Sequence, residues 1–173
     1  MVEIMKNFAI EHNGRTWWVS RSTAVAINVY GIIDGKFCVL ANKRGPGLPS
    51  NIGKWNCVSG YIDYDEDLKD ACVREVFEET GVKIKKSAIK FIEFEDSPKR
   101  ANQTILFRYM IFCEDAQDQV LTSENSEPDE VDEIKWIPIE EVDNYEWVSE
   151  LHKSKILLYA SEIREEYEYL NIL

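Results

Sequence analysis

The sequence predicts an α/β protein whose mixed β-sheet packs between helices. Short β-branched and apolar runs recur up to Cys113, one helix-like segment interrupts them, and helical spacing returns at the C-terminus. Thr23 to Tyr30 (TAVAINVY) and Phe37 to Asn42 (FCVLAN) read as strands, and Asp34-Gly35 between them is a hairpin turn signal. The next stretch, RGPGLPSNIG, carries Gly45, Pro46, Gly47, Pro49 and Gly53 and is therefore a loop. Lys54 to Ser59 reads as a further strand and Gly60 to Asp65 as a turn. A helix runs from Glu66 to Thr80, and Gly81 stands where a left-handed terminator belongs. Strands follow at Ile89 to Glu95 and Thr104 to Cys113, then an acidic loop from Glu114 to Asp129 and a last strand at Val131 to Ile137. Pro138 can open a short helix through Val142. From Trp147 onward, Leu151, Ile156, Leu157, Ile163, Tyr167 and Leu170 recur at near-helical spacing and predict a longer C-terminal helix.

A length of 173 residues fits one domain, covering 1–173. Hydrophobic residues are 45% of the chain and aromatics 12%, enough to build a core and to argue against disorder. The 32 acidic against 20 basic residues give a net charge of −12, which disfavours duplex nucleic acid and an anionic membrane surface as partners. Cys38, Cys57, Cys72 and Cys113 are scattered through apolar stretches without a CxxC, so buried thiols in a reducing cytoplasm are expected. His12 and His152 have no zinc-ligand spacing. The N-terminal MVEIMKNFAIEHNG lacks a basic start and apolar run, so no signal peptide is expected, and no apolar run is long enough to span a membrane.

The chemistry concentrates in GYIDYDEDLKDACVREVFEETGV, Gly60 to Val82. On a helix, Leu68, Ala71 and Cys72 form an apolar stripe that continues into Glu75, Glu78 and Glu79. Val73, Val76 and Phe77 form a second apolar face, so the helix is expected to be gripped on two sides with the glutamates facing a cleft. Carboxylates three and four apart repel by several tenths of a kcal/mol per pair, roughly, and the C-terminal end of a helix favours cations instead. A hard divalent cation, Mg²⁺ or Mn²⁺, offsets that cost with oxygen ligands; a fully solvated acidic face is the alternative. Arg74, four residues before Glu78 and able to reach back to Glu66, could orient the carboxylates.

Gly60, then five residues, Glu66, then seven residues, and Arg74-Glu75-Val76-Phe77-Glu78-Glu79-Thr80-Gly81-Val82 resemble the signature of the Nudix hydrolase family at every fixed position. The resemblance covers about residues 20–150, with an N-terminal extension and a C-terminal helix outside it, and implies the family's α/β/α sandwich. It further implies a loop–helix–loop that binds Mg²⁺ or Mn²⁺ and water attack on the diphosphate linkage of a nucleoside diphosphate derivative. Carried over by position, Glu75, Glu78 and Glu79 are metal ligands, Gly60 adds its backbone carbonyl, and Arg74 holds the glutamates. Glu66 is then an ion-pair partner of Arg74 or an outer metal ligand. Val58-Ser59 stands where many relatives have Pro-Gly, which leaves that loop's geometry open. Some relatives use a glutamate outside the signature as general base; among Glu127, Glu130 and Glu133, Glu130 is favoured here, each also reading as plain surface acid.

For the substrate, Lys43 and Arg44 lead into the glycine-rich loop, Lys99 and Arg100 sit in another loop, and Arg108 lies within a strand; each could bind phosphate or be a solvated cation. Trp17, Trp18, Tyr61 and Phe107 could stack on a base or pack in the core. Pro98, sixteen residues beyond Val82, is similar to the pattern of ADP-ribose pyrophosphatases in the family. The leading expectation is an Mg²⁺-dependent pyrophosphatase acting on ADP-ribose or a similar compound. A nucleoside triphosphate pyrophosphatase that sanitises the nucleotide pool and a non-catalytic nucleotide-sugar sensor are the alternatives. The N-terminal segment and C-terminal helix both carry apolar faces that could pair two subunits into a homodimer.

Overall fold

The chain's apolar runs become the central strands of one sheet. The computed structural model describes residues 7–98, 104–124, 126 and 129–169, with side chains through 167. In chain order the strands are β1 (Phe8–His12), β2 (Arg15–Val19), β3 (Ser22–Ile33), β4 (Lys36–Arg44), β5 (Trp55–Asn56), β6 (Val58–Tyr61), β7 (Lys90–Glu95), β8 (Thr104–Cys113) and β9 (Val131–Pro138). Helix α1 (Leu68–Thr80) lies between β6 and β7, and α2 (Glu150–Tyr169) closes the described chain. Seven strands form the main sheet, in the order β5-β4-β3-β8-β7, with β6 also on β3 and β9 also on β4. Pairing of β3 with β8 is parallel and the other pairs are antiparallel, so the sheet is mixed, as its pattern predicts.

Period-two alternation sorts the core into two layers. Val25, Ile27 and Val29 of β3, Leu40 of β4 and Tyr109 and Ile111 of β8 pack with Ala71, Cys72 and Val76 of α1. Tyr30, Phe37, Val39, Ala41, Met110 and Phe112 point the other way and pack with Ile156, Tyr159, Ala160 and Ile163 of α2. Each fully buried Val or Ile contributes roughly 1.5–3 kcal/mol, which makes these two faces the main source of stability. All four cysteines are buried and free, in keeping with their apolar settings. Among the described residues, no helix is long and apolar enough to cross a membrane.

Boundaries shift where side chains compete with the backbone. Helix α1 starts at Leu68 because the Asp67 carboxylate caps it, accepting from the N–H groups of Lys69 and Asp70 at 3.0 Å. Glu66 lies outside the helix and accepts from the Asp63 N–H. Gly81 adopts φ 75° and donates its N–H to the Phe77 carbonyl at 2.8 Å, the terminator the sequence predicts. Only one broad face of α1 is gripped, by Ala71, Cys72, Val76 and Thr80. Val73 is half-buried, whereas Phe77 is exposed beneath the Lys83 ammonium. The strand predicted over Lys54 to Ser59 divides in two, because β5 pairs with β4 and β6 with β3. Pro138 ends β9, and a 3-10 turn over Ile139–Asn144 replaces the short helix. Leu170 lies outside the described residues.

Strands β1 and β2 form a separate two-stranded hairpin that the sequence pattern alone does not announce. Its turn is Asn13-Gly14, both with positive φ (51° and 71°), matching Asp34-Gly35 in the β3–β4 hairpin (50° and 74°).

Between β5 and β6 the Cys57 N–H donates to Nε2 of His152, the third residue of α2, at 3.1 Å. Only a neutral imidazole accepts this bond. Burial, aided by the positive Arg108, pushes the His152 pKa down to about 4. The unfolded chain binds this proton between its normal pKa near 6.5 and about 4, so stability falls as pH drops through that window. The linked loss is ~3 kcal/mol. In denaturant unfolding at pH 7 and pH 4, His152→Asn is expected to lose less stability than the parent; equal losses would show that this imidazole does not set the acid sensitivity.

Candidate active site

Helix α2 covers only the Tyr30 and Phe112 end of its sheet face, and the other end is left open. A cavity of about 870 Å³ lies there. Ala24 and Ala26 of β3 are too small to fill it, and Leu106 and Arg108 of β8 continue the same face. Asn42 and Arg44 come from β4, Ser59 and Gly60 from β6, and Glu75, Glu78 and Glu79 from the last turns of α1. Glu130 and His152 complete the wall from the C-terminal third of the chain.

One guanidinium organises the acidic side. Arg74 donates to both Glu66 oxygens (Nε to Oε2 3.0 Å, Nη2 to Oε1 2.5 Å), and its Nη1 donates to Glu75 at 2.8 Å and Glu78 at 3.1 Å. Nη2 also reaches the Tyr61 carbonyl at 2.9 Å, tying the helix to the β6 exit. The bidentate bond to Arg74 holds the Glu66 carboxyl below its usual range. Burial pushes Glu75 upward although Arg74 opposes it. Glu79 is the deepest of the three, and burial raises its pKa well above the ordinary value. The charges of Glu75 and Glu130 add to that rise, while the Asn42 amide and the Ser59 N–H donate to it and oppose it. Gly60 permits the close approach: a Cβ there would meet Glu75 Oε1 at 1.9 Å.

The donor set suits a hard cation. Five carboxylates, Asp63, Glu75, Glu78, Glu79 and Glu130, line one cavity, with the Gly60 backbone against Glu75. Among the described residues, no three His, Cys, Asp or Glu side chains form a ready-made metal cluster. Glu75 and Glu78 are turned to Arg74, and Glu79 to Asn42, so ligating one ion would require them to turn.

The other residues singled out in the sequence fall in different places. Arg44 lines the cavity and its Nε donates to the Ser50 carbonyl at 3.0 Å. Lys43 does not line it: its ammonium pairs with Asp132 at 2.9 Å and Glu133 at 3.9 Å. Glu133 is further paired with Lys135 at 2.6 Å. Glu66 sits behind Arg74, outside the cavity lining. Pro98 occupies an exposed turn after β7 and is not in the lining. Lys99, Arg100 and Glu127 lie outside the described residues. Tyr61 is at the rim, Phe107 packs with Phe91 and Phe94 instead, and Trp17 meets Tyr64 edge-on at 6.0 Å. Trp18 is exposed on β2. Asn42, Asn56 and His152 line the cavity without having been singled out as site residues, since isolated amides and one histidine carry no motif.

Residues 22–157 match the family model described as the NUDIX domain. Among solved structures, the NUDIX domain of Shewanella oneidensis NrtR complexed with ADP ribose is 20% identical, covering 84% of this chain and 89% of that one, with a TM-score of 0.65. A NUDIX-family hydrolase from Clostridium perfringens is 16% identical over 84% of this chain and 99% of that one, TM-score 0.60. A MutT/nudix family protein from Enterococcus faecalis is 23% identical over 68% of this chain, which spans 44% of that longer protein, TM-score 0.57. These likenesses reproduce the sandwich of sheet and helices, and the match over residues 22–157 takes in the whole glutamate helix and its cleft: the chain belongs to the Nudix family.

Proposed function

We propose that this protein is a metal-dependent pyrophosphohydrolase that cleaves the diphosphate linkage of a nucleoside diphosphate derivative, ADP-ribose or a close analogue. The observation that carries this reading is the convergence of Glu75, Glu78, Glu79 and Glu130 on one cavity beside Gly60, with Arg74 bonded to two of them. Glu75, Glu78, Glu79 and the Gly60 carbonyl would hold Mg²⁺ or Mn²⁺. The ion, when bound, neutralises diphosphate oxygens and acidifies a water. Arg74, itself anchored to Glu66 and the Tyr61 carbonyl, holds Glu75 and Glu78 at the cleft, from which they would turn to ligate. Glu130, within electrostatic reach of Glu79, is the group proposed to take the proton of the attacking water. Arg44 would receive a phosphate oxygen at the mouth.

Choice of substrate rests on size and likeness. About 870 Å³ is within the range that encloses a nucleotide-sized ligand. The similar NrtR domain is complexed with ADP ribose. A product-analysis panel with Mg²⁺ (chromatography of the phosphomonoester products), covering ADP-ribose, nucleotide sugars, dinucleoside polyphosphates and triphosphates, tests this: turnover is expected for diphosphate-linked compounds. Preference for triphosphates would mark a pool-sanitising enzyme, and binding without turnover a sensor.

Glu79→Gln is expected to lower turnover by roughly 10²–10⁴-fold while circular dichroism stays that of the parent; near-normal rates would remove Glu79 from the chemistry. Mg²⁺ is expected to raise the Tm of the parent but hardly that of the double variant Glu78→Gln, Glu79→Gln, because a ligand stabilises only the state that binds it. Equal shifts would place the ion elsewhere.

A further inference from the structure

Arg108 lines the cavity with its guanidinium only loosely paired. Its side chain is only 12% exposed, and its ionic contact is a long one, Nε to Glu93 Oε1 at 3.8 Å. That same Glu93 oxygen is already taken by the Lys155 ammonium and by the Tyr159 hydroxyl at 2.7 Å. With Lys155 and Arg108 both on the one Glu93 carboxylate, this local group carries one positive charge in excess. Among the described residues, its two terminal nitrogens donate no hydrogen bond. Neither terminal nitrogen is among the buried atoms left without a partner, so both are accessible from the cavity that Arg108 lines, where the oxygens of an anion can take the place of water. His152, which lines the same part of the cavity, is kept neutral partly by this charge and does not offset it.

The sheet register gives the spacing. Arg108 is paired with Ala26, and Ala26 with Ser59, whose N–H bonds Glu79. Two strand spacings put Arg108 and Ser59 about 10 Å apart along the cavity floor. Between them the floor is Ala26, with Ala24 two residues before it, and neither fills the gap. A ligand with its diphosphate at the glutamates would therefore lay its sugar over the alanines and meet Arg108 beyond.

We infer that Arg108 is a specificity-determining residue that binds an additional phosphate ester on the sugar of the diphosphate substrate. Planar guanidinium donors match two phosphate oxygens at once, and a monoester is the anion such a sugar most readily carries. This inference rests on the diphosphate-hydrolase reading and narrows it: ADP-ribose becomes the weaker member of a pair with its 2′-phosphate.

The test compares kcat/KM in Mg²⁺ for two matched pairs, ADP-ribose with ADP-ribose 2′-phosphate and dephospho-coenzyme A with coenzyme A. The parent is expected to favour the phosphorylated member of at least one pair by about tenfold to a hundredfold, chiefly through KM. Arg108→Met is expected to bring that ratio near one, and Arg108→Lys, which keeps the charge but loses the fork, to leave an intermediate ratio. No preference in the parent, an unchanged ratio in both variants, or an effect that follows the base (guanosine against adenosine compounds) would overturn it. A calorimetric comparison of adenosine 2′,5′-bisphosphate and 3′,5′-bisphosphate with AMP, in the folded parent and Arg108→Lys, is independent of turnover. A bisphosphate advantage that shrinks in the variant supports the Arg108 site even if no diphosphate is hydrolysed, and its absence in the parent overturns the site even if hydrolysis is found.

Discussion

Negative charge gathered in a half-buried cleft is the constraint on which the rest of the site depends. Carboxylates at 75, 78 and 79 cannot share the end of one helix, against its dipole and partly out of water, without a positive counterpart. In the folded chain part of that counterpart is built in: Arg74 bonds Glu66, Glu75 and Glu78 together. Glu79, deepest in the cleft, relies on neutral donors, the Asn42 amide and the Ser59 N–H, which do not cancel a charge. Three guanidiniums, Arg44, Arg74 and Arg108, share the cavity lining with five carboxylates, Asp63, Glu75, Glu78, Glu79 and Glu130, which leaves an excess of carboxylates, and hard cations bind such oxygens.

The fold serves this constraint by leaving one end of a sheet face uncovered. Helix α2 packs on the Tyr30 and Phe112 end, while Ala24 and Ala26 keep the other end shallow. The chain crosses from β4's edge to β3's edge at Cys57, and His152 satisfies the N–H released there. That bond ties the C-terminal helix to the strand that presents Ser59 and Gly60. Loop residues 45 and 47 are stitched to 129 and 130 by backbone bonds, Gly45 N–H to Glu130 carbonyl at 2.7 Å and Gly47 N–H to Asp129 carbonyl at 2.8 Å. Two distant loops thus form one rim, and Gly45 allows the approach, since a Cβ there would lie 2.1 Å from the Asp129 carbonyl oxygen.

Local signals were legible wherever the physics is local. The β3–β4 hairpin, the α1 terminator at Gly81 and the whole signature from Gly60 to Val82 depend on neighbours in sequence. The β1–β2 hairpin was also readable, for Asn13-Gly14 between strand-like residues is a strong turn signal. Lys43 and Arg44 could not be told apart by alternation, because the strand register shifts between them; Arg44 reaches the cavity while Lys43 pairs with Asp132. Arg108 and His152 were not legible as a pair, because strand register and helix docking, not spacing, bring them to one wall. Glu130 reached the cavity while Glu133 paired with lysines, a distinction set by where β9 begins and invisible in a uniformly acidic stretch.

The most direct measurement is anomalous diffraction from crystals soaked in Mn²⁺, collected above the manganese edge. The expected result is a peak bounded by the carboxylates of Glu75, Glu78 and Glu79, with Arg74 still on Glu66. Manganese found only at other surfaces, in crystals whose dissolved protein hydrolyses a diphosphate in the same buffer, would contradict the assignment of these three side chains as the metal's ligands.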